Sequence, residues 1–151
     1  MKFTSYTFLV FLIFNLCGCE KDKLDKQMSE LCKKDGGSKV YEAVALPAHM
    51  FDESGYPFPG WRDRLNNEDR LSKDYLYISE EKVLKNGDPL KGEGQLSRFQ
   101  TKIVRRSDSK LLGEKVFYTR VGGDGIVIGH YTMNTCPKTG EPIEKSIFIK
   151  R

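Results

Sequence analysis

The chain has 151 residues, 25 of them basic and 21 acidic, so its formal net charge is +4 at pH 7. This length suits one domain with a single modest core. The longest basic runs are pairs, Lys33-Lys34 and Arg105-Arg106, and acidic residues are interleaved with them throughout. Such a surface lacks the basic stripe that nucleic-acid binding requires, so we expect no nucleic-acid partner.

The first residues of the chain are unlike the rest, because they are almost entirely apolar. Lys2 is followed by an uninterrupted apolar run from Phe8 to Phe14. The apolar stretch of about ten residues is long enough for the core of a signal peptide, but too short to cross roughly 30 Å of hydrocarbon as a helix. A buried core helix is the alternative, but the position behind a basic residue favours an export signal.

Small residues and two cysteines close this segment, in the order Leu16, Cys17, Gly18, Cys19. This pattern resembles the lipobox of bacterial lipoproteins, although Cys17 stands where that family usually has Ser, Ala or Thr. The resemblance covers residues 1–19. It implies a signal peptide over residues 1–18, cleavage before Cys19, and lipid on the Cys19 sulfur as the membrane anchor.

The resemblance also implies a location for the mature protein. Glu20 follows the lipidated cysteine, whereas Asp at this position resembles an inner-membrane retention signal. The expected location is therefore the cell envelope of a Gram-negative bacterium, in the outer membrane and facing the periplasm. Two or three acyl chains on Cys19 would give stable anchoring.

The remaining cysteines, Cys32 and Cys136, are expected to form a disulfide. Of the four cysteines, Cys17 would leave with the signal peptide and Cys19 would carry lipid. Two leftover thiols in an exported domain usually pair, because the compartment is oxidising. Two free buried thiols are the alternative.

One amphipathic helix is predicted after a short charged tether over residues 19–23. Apolar residues recur at helical spacing, namely Leu24, Met28, Leu31 and Cys32. Asp22 suits the start of this helix, and Gly36-Gly37 suits its end. Cys32 then lies on the apolar face, where a disulfide would fix the helix to whichever element carries Cys136.

Five strands are predicted from the apolar runs Lys39–Leu46, Asp74–Leu84, Gln95–Arg106, Leu111–Val121 and Ser146–Lys150. Gly-rich or polar turns separate them, and the four residues 107–110 indicate a hairpin. Short connections leave no room for the crossover helices of a parallel sheet. We therefore predict a single α+β domain over residues 24–151, with one N-terminal helix packed on a four- to five-stranded, mostly antiparallel sheet.

The sequence contains no strong catalytic, metal or cofactor motif, so we expect neither a cofactor nor a metal. Neither His49 nor His130 has metal-ligand spacing with another His or Cys. His49 with Asp52 and Glu53 would suit an acid/base site, but three polar residues on an exposed loop are the plainer interpretation. The segments Gly92–Gly94 and Gly122–Gly125 lack the following helix of a phosphate loop and are interpreted as turns.

An aromatic segment, Met50–Trp61, is the candidate partner-binding surface. Its candidate contact residues are Phe51, Tyr56, Phe58, Trp61 and Arg62. Aromatic anchors beside an arginine are typical of protein-binding surfaces. The alternative is that these aromatics fold back over the sheet, since large aromatics are mostly buried.

These observations favour a non-enzymatic, membrane-anchored envelope lipoprotein that acts as a binding or structural module, with another envelope protein or peptidoglycan as its partner. Two alternatives stay open. One is an inhibitor or immunity protein against an envelope hydrolase, which rests on analogy alone. The other is a cell-wall hydrolase that uses His49 and nearby carboxylates.

Overall fold

The structure, a computed structural model, describes residues 19–60, 70–125, 129–138 and 140–151. It confirms the predicted α+β class, with one long N-terminal helix and a five-stranded, mostly antiparallel sheet. The elements are α1 (Cys19–Asp35), β1 (Gly37–Val40), β2 (Val44–Leu46), β3 (Tyr75–Lys85), β4 (Gly94–Arg105), β5 (Lys110–Gly122), β6 (Met133–Cys136), α2 (Ile143–Ile147) and β7 (Phe148–Lys150). Across the described ranges, no helix combines the length and apolar character needed to span a membrane.

Helix α1 buries the predicted apolar face: Leu24, Met28 and Cys32 are at most 9% exposed. The helix begins at Cys19, before the expected cap Asp22, so residues 19–23, expected as a tether, are helical. Two side chains in this part of the helix form ion pairs, Lys21 with Asp124 and Glu20 with Lys85. The acidic residues Glu20 and Asp22 in the first turn also interact favourably with the positive end of the helix dipole.

Strand β5 is central to the sheet, whose order is β1-β5-β4-β3 with β6 also beside β5. Strand β1 runs antiparallel to the first part of β5, where Gly37 lies opposite Val116. Strand β6 runs antiparallel to the last part of β5, where Tyr118 lies opposite Cys136. The predicted hairpin joins β4 to β5 through residues 106–109.

The first and last predicted strands were wrong in extent. The run Lys39–Leu46 contains two short strands, β1 and β2, and the run Ser146–Lys150 contains the end of α2 followed by β7. Strands β2 and β7 pair in parallel, with Val44 opposite Phe148. Parallel neighbours need a long connection, and most of the chain lies between these two strands. Strand β6 was not predicted at all.

The described chain forms two compact units. Unit 1 includes residues 19–34, 82–98, 118–125 and 129–138, and unit 2 includes residues 35–60, 70–81, 99–117 and 140–151. Unit 1 buries the apolar face of α1 together with Leu96 and Tyr118. Unit 2 has a core cluster of Phe58, Leu71, Tyr75, Ile103, Leu112, Ile143, Ile147 and Phe148.

Candidate functional site

The first turn of α1 is held by side chains from two loops of unit 1. Lys21 donates a hydrogen bond to Asp124 with 3.0 Å between Nζ and Oδ1. The carboxylate of Glu20 pairs with the ammonium group of Lys85 and accepts a hydrogen bond from the backbone N–H of Gly94 at 3.3 Å. The residue predicted to carry lipid, Cys19, therefore lies directly before a fixed helical turn.

Glycines in these loops allow the helix to approach closely. A Cβ on Gly94 would lie 2.2 Å from Cδ1 of Leu24, and a Cβ on Gly123 would lie 3.3 Å from Cα of Lys21. Gly123 also has a φ of +83°, which disfavours residues with a side chain. The glycines were predicted as turn residues, and the structure adds that they make room for α1.

Asp124 is the most perturbed acid of this cluster. Its carboxylate accepts hydrogen bonds from the backbone N–H and the hydroxyl of Thr132, and it also faces the Lys21 ammonium. These interactions, chiefly the backbone hydrogen bond from Thr132, lower the pKa of Asp124 to about 2. Asp124 is thus ionised whenever the protein is at neutral pH.

Asp124→Asn should reduce stability most at neutral pH and least in acid. A carboxyl with a lowered pKa in the folded state contributes stability above its unfolded pKa, and this contribution is lost as pH falls toward the folded pKa. The difference in urea midpoint between wild type and variant should therefore shrink as pH falls from 3.8, the ordinary pKa of an aspartate carboxyl, to about 2. A gap that stays constant over this range would contradict the assignment.

A buried arginine, Arg120, joins α1 to the sheet of unit 1. It is 2% exposed and forms a bidentate pair with Asp25, through Nε to Oδ1 at 2.9 Å and Nη2 to Oδ2 at 3.2 Å. Its Nη1 donates to the carbonyl oxygens of Gly122 and Thr132. Burial, the largest single effect, raises the pKa of Asp25, but hydrogen bonds from Arg120 and Asn134 together lower it. Since the polar atoms of this pair find partners, its arrangement indicates a structural role.

The predicted disulfide between Cys32 and Cys136 is confirmed, with 6.0 Å between the two Cα atoms. It connects the last two turns of α1 to the end of β6. Helix α1 is consequently fixed at both ends, by ion pairs in its first turn and by a covalent bond near its last.

Unit 2 contains a small cleft, the Arg70 cleft, of about 220 Å³. Its walls combine a buried ion pair with aromatic and aliphatic groups; they are Arg70, Tyr77, Thr101, Lys115, Phe117, Pro142, Ile143 and Glu144. Arg70 donates to Glu144 at 3.1 Å, and its guanidinium lies 3.7 Å from the centre of the Tyr77 ring. Burial foremost, and also the charge of Glu144, raise the pKa of Tyr77.

The other groups of the Arg70 cleft are held from its rim. Lys115 donates to the carbonyl oxygens of Gly140 and Glu141 at 2.9 and 2.8 Å. Phe117 stacks on Phe99 with 4.8 Å between ring centres. The cleft thus offers fixed charges, a tyrosine hydroxyl and an apolar wall to whatever enters it.

A second cavity of unit 2, about 460 Å³, lies beside the β4–β5 turn and is lined by Lys73, Asp74, Tyr75, Arg105, Arg106 and Ser107. Arg105 is already paired with Glu42 at 2.7 Å and with Asp108 at 3.1 Å. These pairs lie near the surface, where such contacts stabilise little. The Arg70 cleft is therefore the better candidate site, because its ion pair is buried.

The aromatic segment departs from the prediction of a partner-binding surface. Phe58 is 5% exposed and packs against Tyr75 and Phe148, with ring centres 5.7 and 5.2 Å away. Phe58 as a surface contact is therefore wrong, because its ring belongs to the core. Phe51 is half-buried against the same core.

The remaining residues of that prediction have separate outcomes. Tyr56 is half-buried, and the ammonium group of Lys145 lies 4.4 Å from the centre of its ring. Trp61 and Arg62 lie outside the described residues. Of the five predicted contact residues, the three that the structure describes, Phe51, Tyr56 and Phe58, are therefore half-buried or buried.

The predicted acid/base residues His49, Asp52 and Glu53 line neither of the two cavities described above. His49 is exposed. Asp52 accepts a hydrogen bond from the backbone N–H of Tyr56 at 2.8 Å, which closes a local turn. Within residues 19–60, 70–125, 129–138 and 140–151, no three His, Cys, Asp or Glu side chains are grouped to hold a metal ion.

Comparison of the chain with protein-family models, with curated proteins and with solved structures finds no significant match. The candidate site therefore rests on its own geometry. Sequence reasoning missed the Arg70 cleft because its ion pair joins residues 74 positions apart, and neither residue stands in a motif. A usable signal was present at α2, where Ile143 and Ile147 are four residues apart and both buried.

Proposed function

We propose that this chain is an envelope lipoprotein, anchored through acylated Cys19, which acts as a non-enzymatic binding module. The observation that carries the anchor is the lipobox ending at Cys19. The Cys32–Cys136 bond adds support, because disulfides persist in oxidising compartments such as the periplasm.

The size of the Arg70 cleft supports recognition of a protruding group over binding of a whole cofactor. Pockets for small molecules usually have about 300–1,000 Å³. The cleft has about 220 Å³, which suits one side chain or an acylamino group. Its charges and hydroxyl would pair with a polar group, and Phe117 and Ile143 would contact the apolar part. Another envelope protein and peptidoglycan both offer such groups.

Photo-crosslinking in the native envelope tests this proposal. A photoreactive phenylalanine analogue at Phe117 should form adducts with a specific partner in the lipidated protein. The same analogue at Tyr41, which is 53% exposed and outside the cleft, is the matched control. Lys115→Gln should weaken the Phe117 adducts, because it removes a cation from the cleft wall. Equal adducts at both positions, or none at Phe117, would contradict binding through the cleft.

A further inference from the structure

Four large apolar side chains in the described part of unit 1 are exposed: Leu90, Met133, Val83 and Tyr131 are 76%, 68%, 48% and 41% exposed. Val83 lies within β3, and the other three lie in segments next to the loop of residues 122–125. Leu90 lies on the 3-10 turn Pro89–Lys91, where its backbone N–H donates to Asp88 Oδ1 at 3.1 Å. The turn ends at Gly92 in the left-handed conformation. Leu90 is thus presented to solvent by a defined turn.

This turn lies at the same end of unit 1 as the start of α1. A Cβ on Gly122 would lie 2.9 Å from Cα of Pro89, and the N–H of Gly125 donates to the carbonyl of Gly92 at 3.1 Å. The same loop, residues 122–125, holds Lys21 through Asp124. The turn with Leu90 and the first turn of α1 therefore pack on one shared loop.

The backbone segment that carries the other two residues adjoins that loop as well. Met133 lies opposite Val121 in the β5–β6 pairing. The N–H of Gly122 donates to the carbonyl of Thr132, which stands between Tyr131 and Met133. Leu90, Tyr131 and Met133, here called the apolar tip, are therefore exposed residues on segments next to the loop that also holds the first turn of α1.

The position of Cys19 indicates that the apolar tip would lie against the membrane surface. Cys19 is two residues before Lys21, which is about 3 Å along a helix axis. No flexible spacer separates it from the folded unit, since residues 19–23 are helical. Acyl chains on Cys19 would hold this end of unit 1 at the headgroup level, where apolar side chains insert about 5–10 Å deep.

Ion pairs reduce the charge available for such a contact. Lys21, Lys85 and Lys91 are paired with Asp124, Glu20 and Asp88, respectively. These pairs neutralise three lysines of this end and so weaken their attraction to anionic lipid. Burial of apolar area would supply the favourable free energy.

We propose that the apolar tip inserts into the phospholipid interface, so that unit 1 is docked on the bilayer and does not swing on a tether. This inference rests on the proposed lipid anchor at Cys19. It assigns Leu90, Met133 and Tyr131 a role as interfacial contacts. Of the three, Leu90 should insert most, because it is the most exposed.

A fluorescent amino acid that reports polarity, placed at Leu90 in the lipidated full protein, tests the proposal. The matched control position is Glu30, which is exposed on α1. It lies about 16 Å from Cys19 along the helix axis. Both proteins are bound to vesicles of phosphatidylethanolamine and phosphatidylglycerol that contain spin-labelled lipid. Quenching should be at least about threefold stronger at position 90 than at position 30.

The outcomes separate the inference from the proposed anchor. Blue-shifted, quenched emission at position 90 alone supports docking. Vesicle-bound protein with equal, water-like emission at both positions overturns docking and leaves the anchor intact. If the protein does not bind the vesicles at all and fails to float with them, both the docking of unit 1 and the lipid anchor at Cys19 are overturned.

Discussion

Loss of the Cys32–Cys136 disulfide should lower the free energy of unfolding by about 2–5 kcal/mol. The bond closes a loop with a sequence separation of 104, and the chain-entropy model assigns up to about 4.7 kcal/mol to a loop of about 100 residues. The physical reason is that the unfolded chain gains freedom when the bond is absent. Urea denaturation of the oxidised protein and of Cys32→Ala/Cys136→Ala measures this difference.

Reductant provides the control for that experiment. Dithiothreitol should shift the urea midpoint of the wild-type protein toward that of the double variant, and it should leave the double variant unchanged. Wild-type midpoints that agree with and without reductant would show that the bond contributes nothing. The same result follows if the two thiols are not joined in the protein.

Arg120→Met should cost about 3–5 kcal/mol of stability, because it leaves a carboxylate without its buried partner. Arg120 is 2% exposed and makes two hydrogen bonds to Asp25 and further ones to backbone carbonyls. Methionine retains much of the side-chain volume, so the loss reports the charge and hydrogen bonds more than a cavity. Urea denaturation at pH 7 is the measurement.

Arg105→Met is the matched control for Arg120. The Arg105 side chain is 26% exposed, and its partner Glu42 is 30% exposed. Pairs at the surface contribute about 0–1 kcal/mol, so this variant should be nearly as stable as wild type. Adding Asp25→Leu to Arg120→Met should recover part of the loss, because no buried charge is then unpaired. Similar losses for the two arginines would contradict a special role for Arg120.

The spacing and type of neighbouring residues correctly predicted the long helix and the three long strands. Leu24, Met28 and Cys32 mark a helical face by their spacing, and β3, β4 and β5 are long enough to be recognised from β-branched and aromatic residues. The disulfide followed from counting cysteines in a chain that was predicted to be exported, which requires no knowledge of the fold. These predictions were confirmed with ends shifted by a few residues.

Long-range contacts decided the parts that were not predicted. Strand β6, which was not predicted, has four residues, and β7, which is the last part of the predicted fifth strand, has three, so both form only because a partner strand is present. Phe58 looked available for a partner, but the aromatic rings that cover it come from distant parts of the chain. The members of the pairs Arg120–Asp25 and Arg70–Glu144 are 95 and 74 residues apart in the chain. Patterns among neighbouring residues therefore cannot predict these pairs.

Metabolic labelling with palmitate tests the central claim most directly. The wild-type protein and Cys17→Ser should both incorporate label, because in the proposed anchor Cys19 is the acylated residue and Cys17 leaves with the signal peptide. Cys19→Ser should incorporate none and should keep its leader. An unlabelled wild-type protein, or label that persists in Cys19→Ser, would contradict the anchor and with it the envelope function.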